Sequence, residues 1–206
     1  MVYSKRMALK DFGGKIFAFG YDVFMFPIEK FGLEKLRAKT LSFVEGKRIL
    51  EVGVGTGLNF QFYPAGIKVF AVEPKFEMLR RAVKRAKNFN GQIYFVSARV
   101  ESLPFKDDFF DSVLATFVFC EVENPENGFR ELLRVLKPGG RLILLEHVRP
   151  GGKFLSKVFD LVNNFTSILG ENINRETLKI ALEAGVVIEK VIDVYGDFVK
   201  LIIARK

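Results

Sequence analysis

Residues 49–57 read Ile-Leu-Glu-Val-Gly-Val-Gly-Thr-Gly. Ile49 and Leu50 have the character of a buried strand that Glu51 closes. Gly53, Gly55 and Gly57 then stand at alternate positions, where the backbone can take φ > 0 or approach a ligand closely. A strand that runs into such a turn, with a helix after it, is how an α/β sheet builds a nucleotide-type site at its carboxyl edge. The turn is not the dinucleotide fingerprint G-x-G-x-x-G. Counted from Gly53 the third glycine is replaced by Leu58, and counted from Gly55 it is replaced by Phe60. The pattern present is E-x-G-x-G-x-G.

Working outward, residues 68–72 form the next strand, and Glu73 lies at its end. An acid about 20 residues beyond a glycine turn can accept hydrogen bonds from both hydroxyls of a ribose, in a dinucleotide or in an adenosyl cofactor. The plainer reading is a helix N-terminal acid, because Pro74 opens the following helix and negative charge is favoured there. The arrival of the acid together with the glycine turn favours the ribose role. Residues 75–87 are amphipathic, with Met78, Leu79, Ala82, Val83 and Ala86 facing the sheet and Arg80, Arg81, Lys84, Arg85 and Lys87 facing out.

Composition narrows the function classes. The chain has 206 residues, 49% hydrophobic and 27% charged, enough for one domain with a sizeable core and an appended cap. A single cysteine, Cys120, excludes a disulfide within the chain and an all-cysteine zinc site. A single histidine, His147, argues against a histidine-rich catalytic metal centre, and no metal is expected. No secretory signal is visible, and the longest apolar stretch, residues 16–28, is broken by Asp22 and too short to span a bilayer. A cytoplasmic protein is expected. The net charge of +8 suits nucleic acid, an acidic substrate, a peripheral contact with an anionic membrane surface, or simply a lysine-rich solvated surface. No nucleic-acid-binding module is recognisable, so no nucleic acid is expected.

The remaining segments alternate in the same way. Residues 1–44 are dense in aromatics, among them Phe12, Phe17, Phe19, Tyr21, Phe24, Phe26 and Phe31, and read as one or two short helices forming an N-terminal cap. They cover the sheet, or they close as a lid over an apolar pocket. Residues 58–63 start a helix that Pro64 ends. Residues 93–96 and 110–119 are the third and fourth strands. Thr116 and Phe117 lie near the end of the fourth, at the edge where a cofactor and a substrate meet. Cys120 reads as a small buried residue rather than a nucleophile, because no basic partner neighbours it. Asn124-Pro125-Glu126 is a helix start, Phe129, Leu132, Leu133 and Leu136 are its buried stripe, and Lys137-Pro138-Gly139-Gly140 stops it. Residues 141–145 form the fifth strand, ending at Glu146-His147. Residues 150–173 insert a helix with a broad apolar face. Asn174 caps a last helix with Leu178, Ala181 and Leu182 buried and Gly185 as its stop. Residues 186–194 and 198–204 are closing strands, joined by so short a turn that they pair as an antiparallel hairpin.

Four stretches together carry a family resemblance: the E-x-G-x-G-x-G turn, the Leu103-Pro104-Phe105 loop, the run L-x-x-L-K-P-G-G-x-L at residues 133–142, and the closing hairpin. From about Tyr21 to His147 the chain resembles the class I S-adenosylmethionine-dependent methyltransferases, in the group that includes the ubiquinone/menaquinone-biosynthesis methyltransferases. Residues 55–64, Glu146-His147-Val148 and the G-E-N-x-x-R-E-T segment at 170–177 are similar to the alkyl-thiol methyltransferases and the small phospholipid N-methyltransferases. The resemblance implies a doubly wound, seven-stranded, mostly parallel sheet ending in an antiparallel hairpin, a Rossmann-like fold. Its domains would be a cap at 1–44 and a methyltransferase domain at 45–206 with the inserted helix at 150–173. It implies S-adenosyl-L-methionine as cofactor, with Tyr21, Glu51, Gly53, Gly55, Gly57, Asn59, Glu73, Pro74, Val100, Glu101, Thr116 and Phe117 around it. In that family the loop before Leu-Pro-Phe carries an Asp that accepts from the adenine amino group. Here the position is Arg99, which cannot accept a hydrogen bond, so the contact falls to the backbone at Val100, to Glu101, or to stacking of Arg99 on the ring.

The expected reaction is methyl transfer to a small, apolar acceptor: a quinone precursor, a phospholipid head group or a lipophilic thiol. His147 is the candidate general base, because its pKa suits neutral pH and it lies at a strand end. The plainer reading is a hydrogen-bonded residue at a turn. Two other classes compete. A nucleotide-dependent oxidoreductase is opposed by the missing third glycine and by the hairpin. A degenerate, basic binding module for a membrane surface or nucleic acid draws on Arg99.

Overall fold

The computed structural model describes residues 32–206, except 90, 151, 153–155, 158, 159, 162, 164–171, 173 and 197. Its elements run α1 (Glu34–Leu41), β1 (Arg48–Val52), β2 (Lys68–Val72), α2 (Phe76–Arg85), β3 (Gln92–Val96), β4 (Phe110–Thr116), α3 (Pro125–Val135), β5 (Leu136–His147), α4 (Thr177–Glu183), β6 (Val187–Tyr195) and β7 (Val199–Arg205). The seven strands form one sheet in the order β3-β2-β1-β4-β5-β7-β6. The pairs among β1 to β5 are parallel, and β7 runs antiparallel between β5 and β6. This is the expected doubly wound sheet, closed by the expected hairpin. The strand order reverses at β1, which lies between β2 and β4, and ligands bind such sheets at the carboxyl ends beside that reversal.

Alternation along the central strands splits the core into two layers. Leu50, Val52, Val113, Ala115, Leu142 and Leu144 face α3 and α4, meeting Phe129, Leu132, Val135 and Ala181. Ile49, Val69, Ala71, Leu114, Ile143 and Leu145 face α1 and α2, meeting Leu36, Leu41, Leu79 and Ala82. With helices on both faces, the strands are apolar on both sides, which is why their sequences read as continuous hydrophobic runs. Phe119 lies flat against Phe129, with ring centroids 4.0 Å apart. Phe105, Phe109 and Phe110 set their edges against Phe70 at 5.8, 5.5 and 5.2 Å, which anchors the Leu103-Pro104-Phe105 loop to the sheet.

Several local expectations are corrected. No α-helix follows the glycine turn. There is a single 3₁₀ turn, Phe60–Phe62, because Tyr63 is already extended ahead of Pro64. The fourth strand ends at Thr116, three residues early, because Phe117 takes a left-handed φ of 56°. Leu136 belongs to β5, pairing with Phe110. Lys137-Pro138-Gly139-Gly140 then bulges out before the ladder resumes at Arg141. Asn124 caps α3 as expected, its side chain accepting from the Asn127 N–H. Asn174 does not cap α4. The N-cap is Glu176, and the Asn174 amide donates to Asp160 at 2.9 Å. Val83 and Leu182 lie exposed at the flanks of their helices' apolar stripes. Cys120 is half-buried rather than buried. The cap residues 1–31, with Tyr21, lie outside the described residues, as does most of the 150–173 insertion. Among the described residues no helix is long and apolar enough to cross a membrane.

Phe129 is wholly buried at the centre of one layer. Phe129→Ala should lower stability by about 3–5 kcal/mol, read as a shift of the urea midpoint at unchanged slope.

Candidate active site

The carboxyl ends of β1, β2 and β4 open onto a cavity of about 380 Å³. The turn after β1 forms one wall, and two of its glycines are dictated by space and backbone. Gly53 has φ +60°, and a Cβ there would stand 2.5 Å from the Val118 side chain. Gly55 has φ +55° and faces open space, the nearest atom to a Cβ being the Gly53 carbonyl at 4.0 Å. The Gly55 N–H turns away from that space and donates to Glu73 Oε2 at 3.0 Å. The Lys75 N–H donates to Oε1 at 2.9 Å. Glu73, only 6% exposed, is thereby held at the cavity wall with one backbone donor on each oxygen. A carboxylate has about four acceptor positions, so two remain for a ligand with paired hydroxyls. Burial raises its pKa, and the N–H bonds from Lys75 and Gly55 oppose the rise.

Behind the turn lies a buried polar network. Asn59 accepts from Arg37 Nη1 at 3.0 Å and donates to Glu51 Oε1 at 2.8 Å and to Thr116 Oγ1 at 3.0 Å. The Tyr63 hydroxyl donates to Glu51 Oε2 at 2.9 Å, and Arg37 also reaches Thr116 Oγ1 at 3.3 Å. Burial pushes Glu51 up to about 7, against the bonds from Asn59 and Tyr63 and the charge of Arg37. Arg37, 4% exposed, also lines the cavity, which puts a guanidinium in its wall. It lies on the buried face of α1 with Leu36, Thr40 and Leu41. Sequence reading passed over it. The available signal was a charge within the buried stripe of a helix, and that stripe is clear only once the helix limits are known.

At the end of β4, Thr116, Phe117 and Val118 line the cavity. The left-handed Phe117 is kept in place from both sides: its N–H donates to the Leu145 carbonyl at 2.8 Å, and the next two N–H groups, of Val118 and Phe119, donate to Glu146 Oε1 at 2.9 and 3.3 Å. Glu146 is wholly buried at the end of β5, and burial raises its pKa to about 8 against the pull of those two N–H groups and the Arg175 charge. The sequence marked Glu146 only as part of a motif, and its work as an anchor for the β4 turn is visible only in three dimensions. His147 packs its ring 4.8 Å from that of Phe117, and burial lowers its pKa.

Ala98, Arg99, Val100 and Glu101 form the opposite wall. Arg99 is engaged with Glu101 at 3.0 Å and Glu123 at 3.2 Å. Glu101 Oε1 also accepts from the N–H groups of Glu123 and Asn124 at 3.0 and 3.3 Å. An ion pair of Lys75 with Glu121 at 2.5 Å joins two residues of the rim. Of the residues expected at the cofactor, Gly53, Gly55, Asn59, Glu73, Pro74, Val100, Glu101, Thr116 and Phe117 line the cavity. Glu51 and Gly57 do not, and neither does His147, the candidate base. Glu51 braces Asn59 from behind, Gly57 packs on the Phe60 ring, and His147 lies behind Phe117. Among the described residues no cluster of His, Cys, Asp or Glu could hold a metal ion.

The buried acids predict a pH dependence. Glu51 and Glu146 bind protons more tightly folded than unfolded, so between about pH 4.5 and 8 the native state carries the extra protons. Their contribution to stability is complete below the unfolded pKa and is lost as pH rises through about 7 and 8. Urea midpoints should therefore fall from pH 5 to pH 8.5, and Glu146→Gln should flatten that fall.

The fit to an adenosyl cofactor rests on this geometry: an open cradle at Gly55, paired acceptors on Glu73 and a cation at Arg37. Comparison with known proteins agrees. Residues 50–144 match a methyltransferase domain family. The ubiquinone/menaquinone biosynthesis C-methyltransferase UbiE of Ectopseudomonas mendocina is 38% identical over 139 residues, 64% of this chain and 54% of the relative. The thiol S-methyltransferase TMT1B of Rattus norvegicus is 40% identical over 103 residues, 48% of this chain and 42% of the relative. The chain thus spans about half the length of these curated relatives. The crystal structure of a SAM-dependent methyltransferase from Thermotoga maritima superposes with a TM-score of 0.69 at 23% identity, covering 93% of this chain and 98% of that one, a likeness of fold. By motif, by the family match over residues 50–144 and by fold, the chain is similar to the class I S-adenosylmethionine-dependent methyltransferases.

Proposed function

We propose that this protein transfers a methyl group from S-adenosylmethionine to a small hydrophobic acceptor. The observation that carries the reading is Glu73, bonded once on each oxygen by backbone and facing the cavity beside the open Gly55 cradle. Two acceptor positions at that distance from a glycine turn suit a ribose diol. Val100 and Glu101 would hold the adenine, and Asn59 and Thr116 the methionyl part, where the Arg37 charge would complement a carboxylate. Phe117 and Val118, at the end of β4, would border the reacting methyl group.

When bound, the cofactor supplies a methyl group already activated on a sulfonium, so the chain's own task is to align the acceptor and exclude water. Phe117 and Val118 give the acceptor an apolar wall. His147 does not line the cavity and burial keeps it neutral at pH 7, so this reading gives it packing against Phe117 and no proton transfer. The acceptor arrives already deprotonated or as a free amine. The names of UbiE and TMT1B, a C-methyltransferase and a thiol S-methyltransferase, support a quinone precursor or a lipophilic thiol; a phospholipid head group remains in the same class. The +8 charge supports work from the cytoplasmic side against an anionic membrane in which such an acceptor dissolves.

Calorimetric titration should give binding of S-adenosylmethionine and S-adenosylhomocysteine and none of NADH. Glu73→Ala should weaken both by about 10- to 100-fold, the size of a charge-assisted hydrogen bond. Gly53→Ala, which drives a Cβ into Val118, should also lose binding. Folded wild-type protein that binds neither sulfur compound would overturn the assignment.

A further inference from the structure

Of the G-E-N-x-x-R-E-T segment, the described residues Asn172 and Arg175 are pinned across the ends of β4 and β5. The Asn172 N–H donates to the Cys120 carbonyl at 2.8 Å, and the Arg149 N–H donates to the Arg175 carbonyl at 3.0 Å. Residues on either side of Cys120, Val118 and Glu121, line the cavity at this edge. Arg175 is half-buried there, and its Nη1 is buried with no hydrogen-bond partner. A guanidinium nitrogen out of water and without an acceptor is costly, and in a native structure it calls for a partner that arrives with a ligand. The other arginine with an unpartnered buried nitrogen, Arg141, sits at the opposite end of β5 and is matched by Glu45 and Glu189.

The charges around Arg175 do not answer it. Those that act on it are Glu146, Cys120 and Glu101. Glu146 gives its Oε1 to Val118 and Phe119, and burial keeps it largely protonated at neutral pH. Glu101 is taken by Arg99 and two backbone N–H groups. Cys120 donates its thiol proton to the Phe117 carbonyl at 3.6 Å. On its own segment, Glu176 pairs with Lys179, and Arg149 pairs with Asp160. Burial outweighs the nearby carboxyls and lowers the Arg175 pKa, although an arginine stays charged at pH 7.

We propose that Arg175 is the anion-binding group of the acceptor site, holding an acidic lipophilic acceptor, a thiol or a phenol, as its conjugate base. This rests on the methyltransferase reading and narrows it. The acceptor releases its proton to solvent on binding, because a cation at contact distance lowers the pKa of an acid by about 1–3 units. Its lone pair then forms the bond to the methyl carbon as the carbon–sulfonium bond breaks, and that electron pair passes to sulfur, leaving S-adenosylhomocysteine. The negative charge of the acceptor and the positive charge of the sulfonium cancel. The product is a neutral thioether or ether that Arg175 no longer holds, so the same residue that captures the acceptor lets the product go. No base is needed for an acceptor that binds as its conjugate base.

The test uses 4-nitrothiophenol, whose thiolate absorbs visible light, titrated against pH on the full chain saturated with S-adenosylhomocysteine. The bound probe should ionise about one unit or more below the free one. Arg175→Gln should return it to the free value, and Arg175→Lys should keep part of the shift. Calorimetric affinity for S-adenosylhomocysteine should be the same in all three, which also reports that the variants are folded. An equal shift in Arg175→Gln, or no binding of the probe to the wild-type complex, would overturn the proposal. Failure of wild-type protein to bind S-adenosylhomocysteine would instead strike the methyltransferase reading.

Discussion

The hydrogen bond from the Gly55 N–H to the Glu73 carboxylate ties the loop after β1 to the end of β2. It sets where the glycine turn lies, and so where the cavity is. The parallel pairing continues toward it, with the Val54 N–H donating to the Val72 carbonyl at 3.0 Å just past the strand. Beyond that point the ladder stops and the two chains diverge. The side chain of Glu73 takes over the backbone donors that the ladder leaves behind, which keeps a buried loop from carrying unsatisfied N–H groups. The same carboxylate retains acceptor capacity toward the cavity.

This device recurs along the sheet edge. Glu51 in β1, Glu73 after β2 and Glu146 in β5 are all buried, and all have raised pKa values. Each is bonded to a different piece of the edge: Asn59 and Tyr63, the N–H groups of Gly55 and Lys75, and the N–H groups of Val118 and Phe119. The loops of the site are thus braced by acids whose own burial is unfavourable, and their rigidity comes at some cost in stability as pH rises. Preorganisation of that kind is what a reaction with an activated electrophile requires from its enzyme.

The electrostatic layout follows. Carboxyls cluster at the ends of β1, β2 and β5, while Arg37 and Arg175 stand at two separate points near the β4 end. Arg37 is integrated into a network of uncharged and partly protonated partners. Arg175 is held by its backbone, with Nη1 buried and without a hydrogen-bond partner. One cation is part of the framework of the cavity wall, and the other lies outside the cavity lining.

Much of this was legible in the chain alone. Alternate glycines after an apolar strand, an acid at the end of the next, and two closing strands joined by three residues already specify a doubly wound sheet with a site beside β1, because glycine placement and apolar periodicity act locally. Gly53, Gly55 and Glu73 could be named from spacing. The sequence could not say that Glu51 and His147 turn away from the cavity, that Phe117 leaves β4 in a left-handed conformation, or that Arg37 and Glu146 serve the site. Those depend on contacts between residues far apart in the chain, such as Arg37 with Thr116 and Glu146 with Val118, whose directions are set by packing. Local chemistry determined the fold and the place of the site. Only the tertiary structure decided which polar groups are used up in bracing it and which are left to meet a ligand, because a buried group's role depends on whether its hydrogen bonds are already satisfied.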